Sequence, residues 1–294
     1  MKKKLLITGA DGQLGQEIRQ REKEFPEFEF MFTSRHNLPL NNLEAITHYF
    51  EEHRPNGCIN CAAYTAVDKA ENEKELAFLI NGEAVGRLAS ECRKLNIPFL
   101  HISTDYVFDG TVHEPLSEEH PVNPVNAYGA SKLLGEQLAL KNNPGSVIVR
   151  TSWVYSRFGN NFVKTMLRLM GEREELNVVA DQYGSPTYAA DLAAALLKIM
   201  TNLTSPDCRI DDFAGIYHYA NAGIITWHTF ADVIRERSGS ACRVNPITTD
   251  QYPTPAKRPA FSVMDTRKIQ NRFKLEIPFW KDSLQKCLQF LIGQ

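Results

Sequence analysis

Eight residues near the amino terminus constrain this chain more than any other segment: Thr8-Gly9-Ala10-Asp11-Gly12-Gln13-Leu14-Gly15. They follow a short apolar run at residues 4–8 and open a stretch of helical composition from Leu14 to Arg21. The glycines recur at i, i+3 and i+6. In that pattern Gly9 permits a tight turn, Gly12 lets backbone approach a pyrophosphate, and Gly15 lets helix and strand pack closely. The helix N-terminus then offers free N–H groups and the positive end of its dipole to phosphates. A plain glycine-rich turn is the competing reading. The flanking strand and helix favour a dinucleotide-binding turn.

The rest of the first half fits such a turn. Strand signals at 28–33, 57–62, 99–103 and 147–150 alternate with helix signals at 43–52, 75–96 and 127–140. Strands separated by crossover helices predict a doubly wound parallel sheet, an α/β fold of the Rossmann type. After Arg150 the rhythm loosens and prolines and aromatics become frequent. Helices are expected at 161–171, 189–200, 226–237 and 282–291. The reading is therefore residues 1–150 as a dinucleotide-binding domain and 151–294 as a smaller mixed α/β substrate domain. The boundary is soft, and some late segments are expected to return to the first domain.

Composition excludes several classes. The 294 residues are 43% apolar, and 33 Lys+Arg oppose 35 Asp+Glu for a net charge of -2. No basic excess marks a nucleic-acid partner. No apolar run approaches the roughly eighteen residues of a membrane span. A cytoplasmic protein is expected. Cys58-Ile59-Asn60-Cys61 stands alone in an apolar strand, where thiols pack as small hydrophobes. No metal is expected.

Two further patterns carry chemistry. Strand two ends in Thr33-Ser34-Arg35-His36, where an NAD site would carry a carboxylate for the ribose 2′-hydroxyl. Arg35, aided by Ser34, would instead attract a 2′-phosphate, so NADPH is expected to bind better than NADH; a solvated surface arginine is the alternative. Ser103-Thr104-Asp105 falls at the carboxyl end of strand four, the edge that faces the ligand crevice in such sheets. In Tyr128-Gly129-Ala130-Ser131-Lys132 the tyrosine and lysine share one helix face at i and i+4. A tyrosine with its ordinary pKa near 10 transfers protons poorly at neutral pH, and a nearby ammonium would stabilise its phenolate.

With these residues in view, the chain resembles the extended short-chain dehydrogenase/reductases, and within them the dTDP-4-dehydrorhamnose reductase family. The resemblance spans nearly the whole length. Its more specific carriers are Ala66-Val67-Asp68-Lys69-Ala70-Glu71, Arg150-Thr151-Ser152-Trp153 and Pro253-Thr254-Pro255-Ala256. It implies reduction of the 4-keto group of dTDP-4-dehydro-L-rhamnose to dTDP-L-rhamnose, with NADPH as cofactor and NADH possible. Tyr128 would be the general acid, Lys132 would tune it and hold the nicotinamide ribose, and Thr104 would donate to the reacting oxygen. Gly12, Gln13, Leu14, Ala62, Ala63, Tyr64 and Thr65 would line the cofactor. Asp105 and Trp153 would contact the substrate. Arg258 is open between a role at the substrate pyrophosphate and a structural ion pair.

Position 106 bears on the sister chemistry. Nucleotide-sugar dehydratases of similar sequence place an Asp-Glu pair after the threonine, whereas here Tyr106 follows Asp105. A reductase or epimerase of another nucleotide sugar, or a non-catalytic NADP-binding regulatory subunit, are the alternatives. Some relatives dimerise through a metal held by glutamates. Glu17 matches the first of these, but Ala190 stands at the later position, which argues against a metal-bridged dimer. A homodimer of another kind stays open.

Overall fold

The computed structural model describes residues 2–293. Six parallel strands form its central sheet. They are β1 (Lys3–Thr8), β2 (Phe28–Phe32), β3 (Gly57–Asn60), β4 (Phe99–Thr104), β5 (Val147–Thr151) and a strand from the second half, Gly215–His218. Their order is β2-β1-β3-β4-β5 followed by Gly215–His218. The order reverses between β1 and β3, and the ligand crevice of a doubly wound sheet opens at such a point.

Alternation along each strand explains why both faces are covered. Leu5 and Ile7 of β1 join Val147 and Val149 of β5 in one core, under the helices Gln13–Gln20, Ala189–Leu203 and Arg267–Phe273. Leu6 and Ile148 point the other way, into a core shared with Leu43–His53, Ala84–Lys94 and Ala127–Asn142. Successive strand residues face opposite sides, and a buried parallel sheet needs apolar residues on both.

The second half divides its residues between two places. Ala189–Leu203 and Gly215–His218 complete the sheet and its cover. Tyr155, Val163, Phe230, Trp280 and Leu284 form a separate core, beside the parallel pair Glu175–Val179 and Arg243–Ile247. None of these three short strands was expected from the sequence. Among the described residues no helix is long and apolar enough to cross a membrane.

One expected element differs. The continuous helix at 75–96 is broken into Lys74–Phe78, a π-helical turn Leu79–Glu83, and Ala84–Lys94. The extra residue places Asn81 where its carboxamide accepts from Tyr64 N (2.8 Å) and donates to Tyr64 O (3.0 Å) and Ser131 Oγ (3.0 Å). A π turn of this kind re-aims a side chain within an otherwise regular helix.

Candidate active site

The glycine turn and the end of β3 meet at the switch point. Gly9 has φ +67°, and a Cβ there would lie 2.7 Å from Ala62 backbone. A Cβ on Gly15 would lie 2.5 Å from Gly9 O, so helix and strand touch as the spacing requires. Ala10 N donates to Thr33 O at 2.9 Å, which ties the turn to the end of β2. Gly12 caps Gln13–Gln20 with no side-chain hydrogen bond, and no acidic residue stands in its first turn. The first N–H groups therefore remain available to an anion. These observations fit a dinucleotide pyrophosphate.

The other residues expected around a cofactor occupy varied settings. The side chain of Leu14 is buried in the core, leaving its backbone toward the turn. Gln13 Oε1 accepts from Asn161 Nδ2 at 3.0 Å, joining the turn to the second half. Ala62 and Ala63 are partly exposed, Tyr64 is held by Asn81, and Thr65 is exposed. Ser34 Oγ accepts from His36 N at 3.3 Å. Arg35 is exposed and forms no ion pair among the described residues.

Tyr128 enters the site at the start of Ala127–Asn142. Asn126 Oδ1 caps that helix by accepting from Gly129 N (2.7 Å), and Glu71 Oε1 accepts from Ala127 N (2.8 Å). The Tyr128 ring meets Tyr106 edge to face, 5.6 Å between centroids. Burial pushes the phenol up to about 12, against the pull of the neighbouring Thr104 hydroxyl. One turn on, Lys132 is buried, and its Nζ donates to Ile102 O at 2.6 Å. Burial brings its ammonium down to about 8. The sequence reading has Lys132 lowering the phenol's pKa; here burial is the largest influence on the phenol, and it acts in the opposite direction. The ammonium itself donates to the backbone of β4 at Ile102.

Thr104 Oγ1 donates to Asp105 Oδ1 (3.1 Å) and accepts from Tyr106 N (3.2 Å). Asp105 is buried, and its Oδ2 has no hydrogen-bond partner among the described residues. Burial raises its carboxyl to about 6. A buried acceptor without a donor is unusual, and the nearby Ser262 hydroxyl pulls this carboxyl down against the effect of burial.

Trp153 sits at φ +47°, a conformation rare for a bulky side chain. Its indole stacks on Trp227 with centroids 3.6 Å apart, and Gly184 leaves room for it: a Cβ there would fall 2.6 Å from the ring. Sequence reasoning missed Trp227, whose only signal was a tryptophan at the start of an expected helix.

Arg258 is held by Asp68 through two contacts of 3.1 Å and by Thr254 Oγ1 at 2.9 Å. Of its two readings, the ion pair is the one these contacts support. The pair fastens residues 254–258 to the helix Val67–Ala70. Asn126 Nδ2 adds a bond to Lys257 O at 2.8 Å.

Glu17 is buried, accepts from Ser156 Oγ at 2.6 Å and lies 3.7 Å from Arg157. Asp191, beside Ala190, accepts from Asn221 and Ser283. All six cysteines are free.

Comparison with known proteins adds to this geometry. A family model described as "RmlD substrate binding domain" matches residues 3–292. The dTDP-4-dehydrorhamnose reductase of Burkholderia thailandensis is 40% identical, covering 99% of this chain and 100% of its own. A solved dTDP-4-dehydrorhamnose reductase from Clostridium acetobutylicum superposes with a TM-score of 0.91 at 41% identity, covering 98% of this chain and 99% of its own. One from Bacillus anthracis, solved in complex with NADP, gives 0.91 at 38% identity with the same coverage.

Proposed function

Because the chain belongs to the RmlD substrate-binding-domain family, we propose that it reduces the 4-keto group of dTDP-4-dehydro-L-rhamnose to the 4-hydroxyl of dTDP-L-rhamnose. NADPH, when bound, would supply the hydride to the carbonyl carbon. The carbonyl oxygen takes the phenolic proton of Tyr128, so C=O becomes CH–OH with one hydride and one proton.

The observation that carries this reading is the convergence of three groups at the carboxyl end of β4. Thr104 ends the strand, and Tyr128 and Lys132 share one face of the helix beside it. A phenol held at about 12 by burial keeps its proton until charge develops on the neighbouring oxygen. Thr104 can turn its hydroxyl from Asp105 to that oxygen and stabilise the same charge. Lys132 supplies positive charge behind the phenol as the phenolate forms. Asp105 and Trp153 would contact the sugar, as the family resemblance implies. Gly9, Gly12 and the first N–H groups of Gln13–Gln20 would hold the pyrophosphate of the cofactor, and Arg35 a 2′-phosphate.

The test follows NADPH absorbance with the dTDP-keto sugar as substrate. Wild-type protein is expected to turn over, and Tyr128→Phe to lose at least about a hundredfold in kcat. Turnover surviving in Tyr128→Phe would defeat the proton-donor assignment, and no turnover in the wild type would defeat the reaction.

A further inference from the structure

Three buried polar side chains lie in a row across the sheet, and the reaction as derived uses none of them. Parallel register sets Thr8 beside Asn60 and Asn60 beside His101. All three are shielded from solvent. Thr8 Oγ1 donates to Asn60 Oδ1 at 2.5 Å, and Asn60 Nδ2 lies 2.9 Å from His101 Nδ1. His101 Nε2 is 3.3 Å from Lys132 Nζ. On the far side of His101 the register continues into Ile148, which is apolar, so the row ends at the lysine.

Resting on the assignment of Lys132 to the reaction, we propose that His101 is a positioning residue for that lysine. As the neutral Nδ1–H tautomer it accepts one ammonium N–H at Nε2, and with the Ile102 carbonyl it leaves the third N–H for the crevice.

An ammonium has three donors and no acceptor. Ile102 O takes one at 2.6 Å. For His101 to take the second, its Nε2 must carry a lone pair, which places the ring proton on Nδ1. The Asn60 carboxamide must then turn its oxygen to the ring and its NH2 to Thr8, the reverse of its orientation in the structure, and the short Thr8 contact must lengthen to an N–H···O distance. Burial and the adjacent Lys132 cation both hold the imidazole well below its ordinary pKa, so it stays an acceptor through neutral pH. The other titratable groups facing the ammonium are Glu136, one turn along its own helix, and Cys61, beyond the end of β3. An apolar residue at 101 would leave the ammonium free to swing and one end of the buried Asn60 carboxamide without a partner.

The experiment begins with wild-type protein labelled with 15N-histidine, the His101 signals being identified by their absence in His101→Gln. A neutral Nδ1–H ring across about pH 6 to 9 is expected, and an Nε2–H ring would overturn the proposal. His101→Leu should lower kcat about 10- to 100-fold and move the alkaline limb of the pH profile to lower pH, because the ammonium loses an acceptor. His101→Gln, which restores an acceptor near Nε2, should recover most of both. A wild-type kcat and profile in His101→Leu, or a glutamine variant no better than leucine, would also overturn it. Should His101→Leu fail to fold, the tautomer and the glutamine variant decide. Wild-type turnover and Tyr128→Phe keep the two readings apart: no turnover in the wild type removes the reaction, and turnover in Tyr128→Phe removes the proton-donor assignment, whatever the tautomer, whereas a dead Tyr128→Phe beside an unaffected His101→Leu removes only this inference.

Discussion

Arg150 grips Glu136 through two parallel hydrogen bonds, Nε to Oε1 at 2.9 Å and Nη2 to Oε2 at 2.7 Å, with both side chains only 2% exposed. Ser103 Oγ adds a third bond to Oε1 at 2.5 Å, and the guanidinium lies over the Phe108 ring. The pair anchors the Tyr–Lys helix to β4 and β5 directly behind the site. Removing one partner strands the other charge in a dry interior. Glu136→Ala is expected to lose about 3–5 kcal/mol of stability, measured by urea unfolding. A loss below about 1 kcal/mol would mean that water reaches Arg150.

Asp105 sets an acid limit. Burial raises its carboxyl to about 6, and the proposed contact with a sugar hydroxyl would be stronger for the ionised form. kcat/KM should fall as pH drops through that value. In Asp105→Asn the plateau should be about tenfold lower and this limb absent. A limb that persists unchanged in the variant assigns it to another group.

Lys132 is held in a charged form that burial disfavours. Below about pH 8 it is protonated both folded and unfolded, and the full penalty applies. Between about 8 and the unfolded value near 10.4 the unfolded chain holds more protons, so stability rises with pH there. Relative to Lys132→Met, the wild type should therefore gain stability from pH 8 toward 10, by up to roughly 3 kcal/mol. Paired denaturant titrations check this, and a gap that is flat or shrinks with pH refutes it.

Gly129 separates Tyr128 from the rest of its helix and admits no side chain. A Cβ there would lie 2.2 Å from Tyr106 O. Gly129→Ala must push the helix off the segment that carries Thr104. Because a displacement of about 1 Å can cost a hundredfold in rate, kcat should fall by about that factor while circular dichroism stays native. Wild-type kcat would show that the Tyr106 peptide can move aside.

Arg35 is the residue proposed to set cofactor preference. Its guanidinium is exposed at the end of β2, where a 2′-phosphate would lie. Arg35→Ala should reduce the NADPH-to-NADH ratio of kcat/KM by about 10- to 100-fold, acting on NADPH alone. An unchanged ratio makes Arg35 a solvated surface residue.

What could be read from the sequence follows the range of each interaction. The demand of Gly9 for positive φ is local, and so is the i, i+4 relation of Tyr128 and Lys132. Both are visible as spacing. Glu136 and Arg150, Thr8 and Asn60, and Trp153 and Trp227 find one another only through strand register and packing, which a linear reading does not reach. The π turn at Leu79–Glu83 was hidden for the same reason, since it serves the contacts of Asn81 with Tyr64 and Ser131. The strand Gly215–His218 carried too few residues to stand out from its surroundings. Arg258 was singled out and Asp68 lay within a segment that carries the resemblance, but nothing in their spacing joined them.

The late strand also has a bearing on biogenesis. While the ribosome has delivered β5 but not yet residue 218, the sheet ends in a bare row of peptide groups, an invitation to pair with the wrong chain. At roughly 5–20 residues per second that interval lasts several seconds. Slowing translation between codons 151 and 215 should therefore increase aggregation of the newborn protein without altering the finished enzyme.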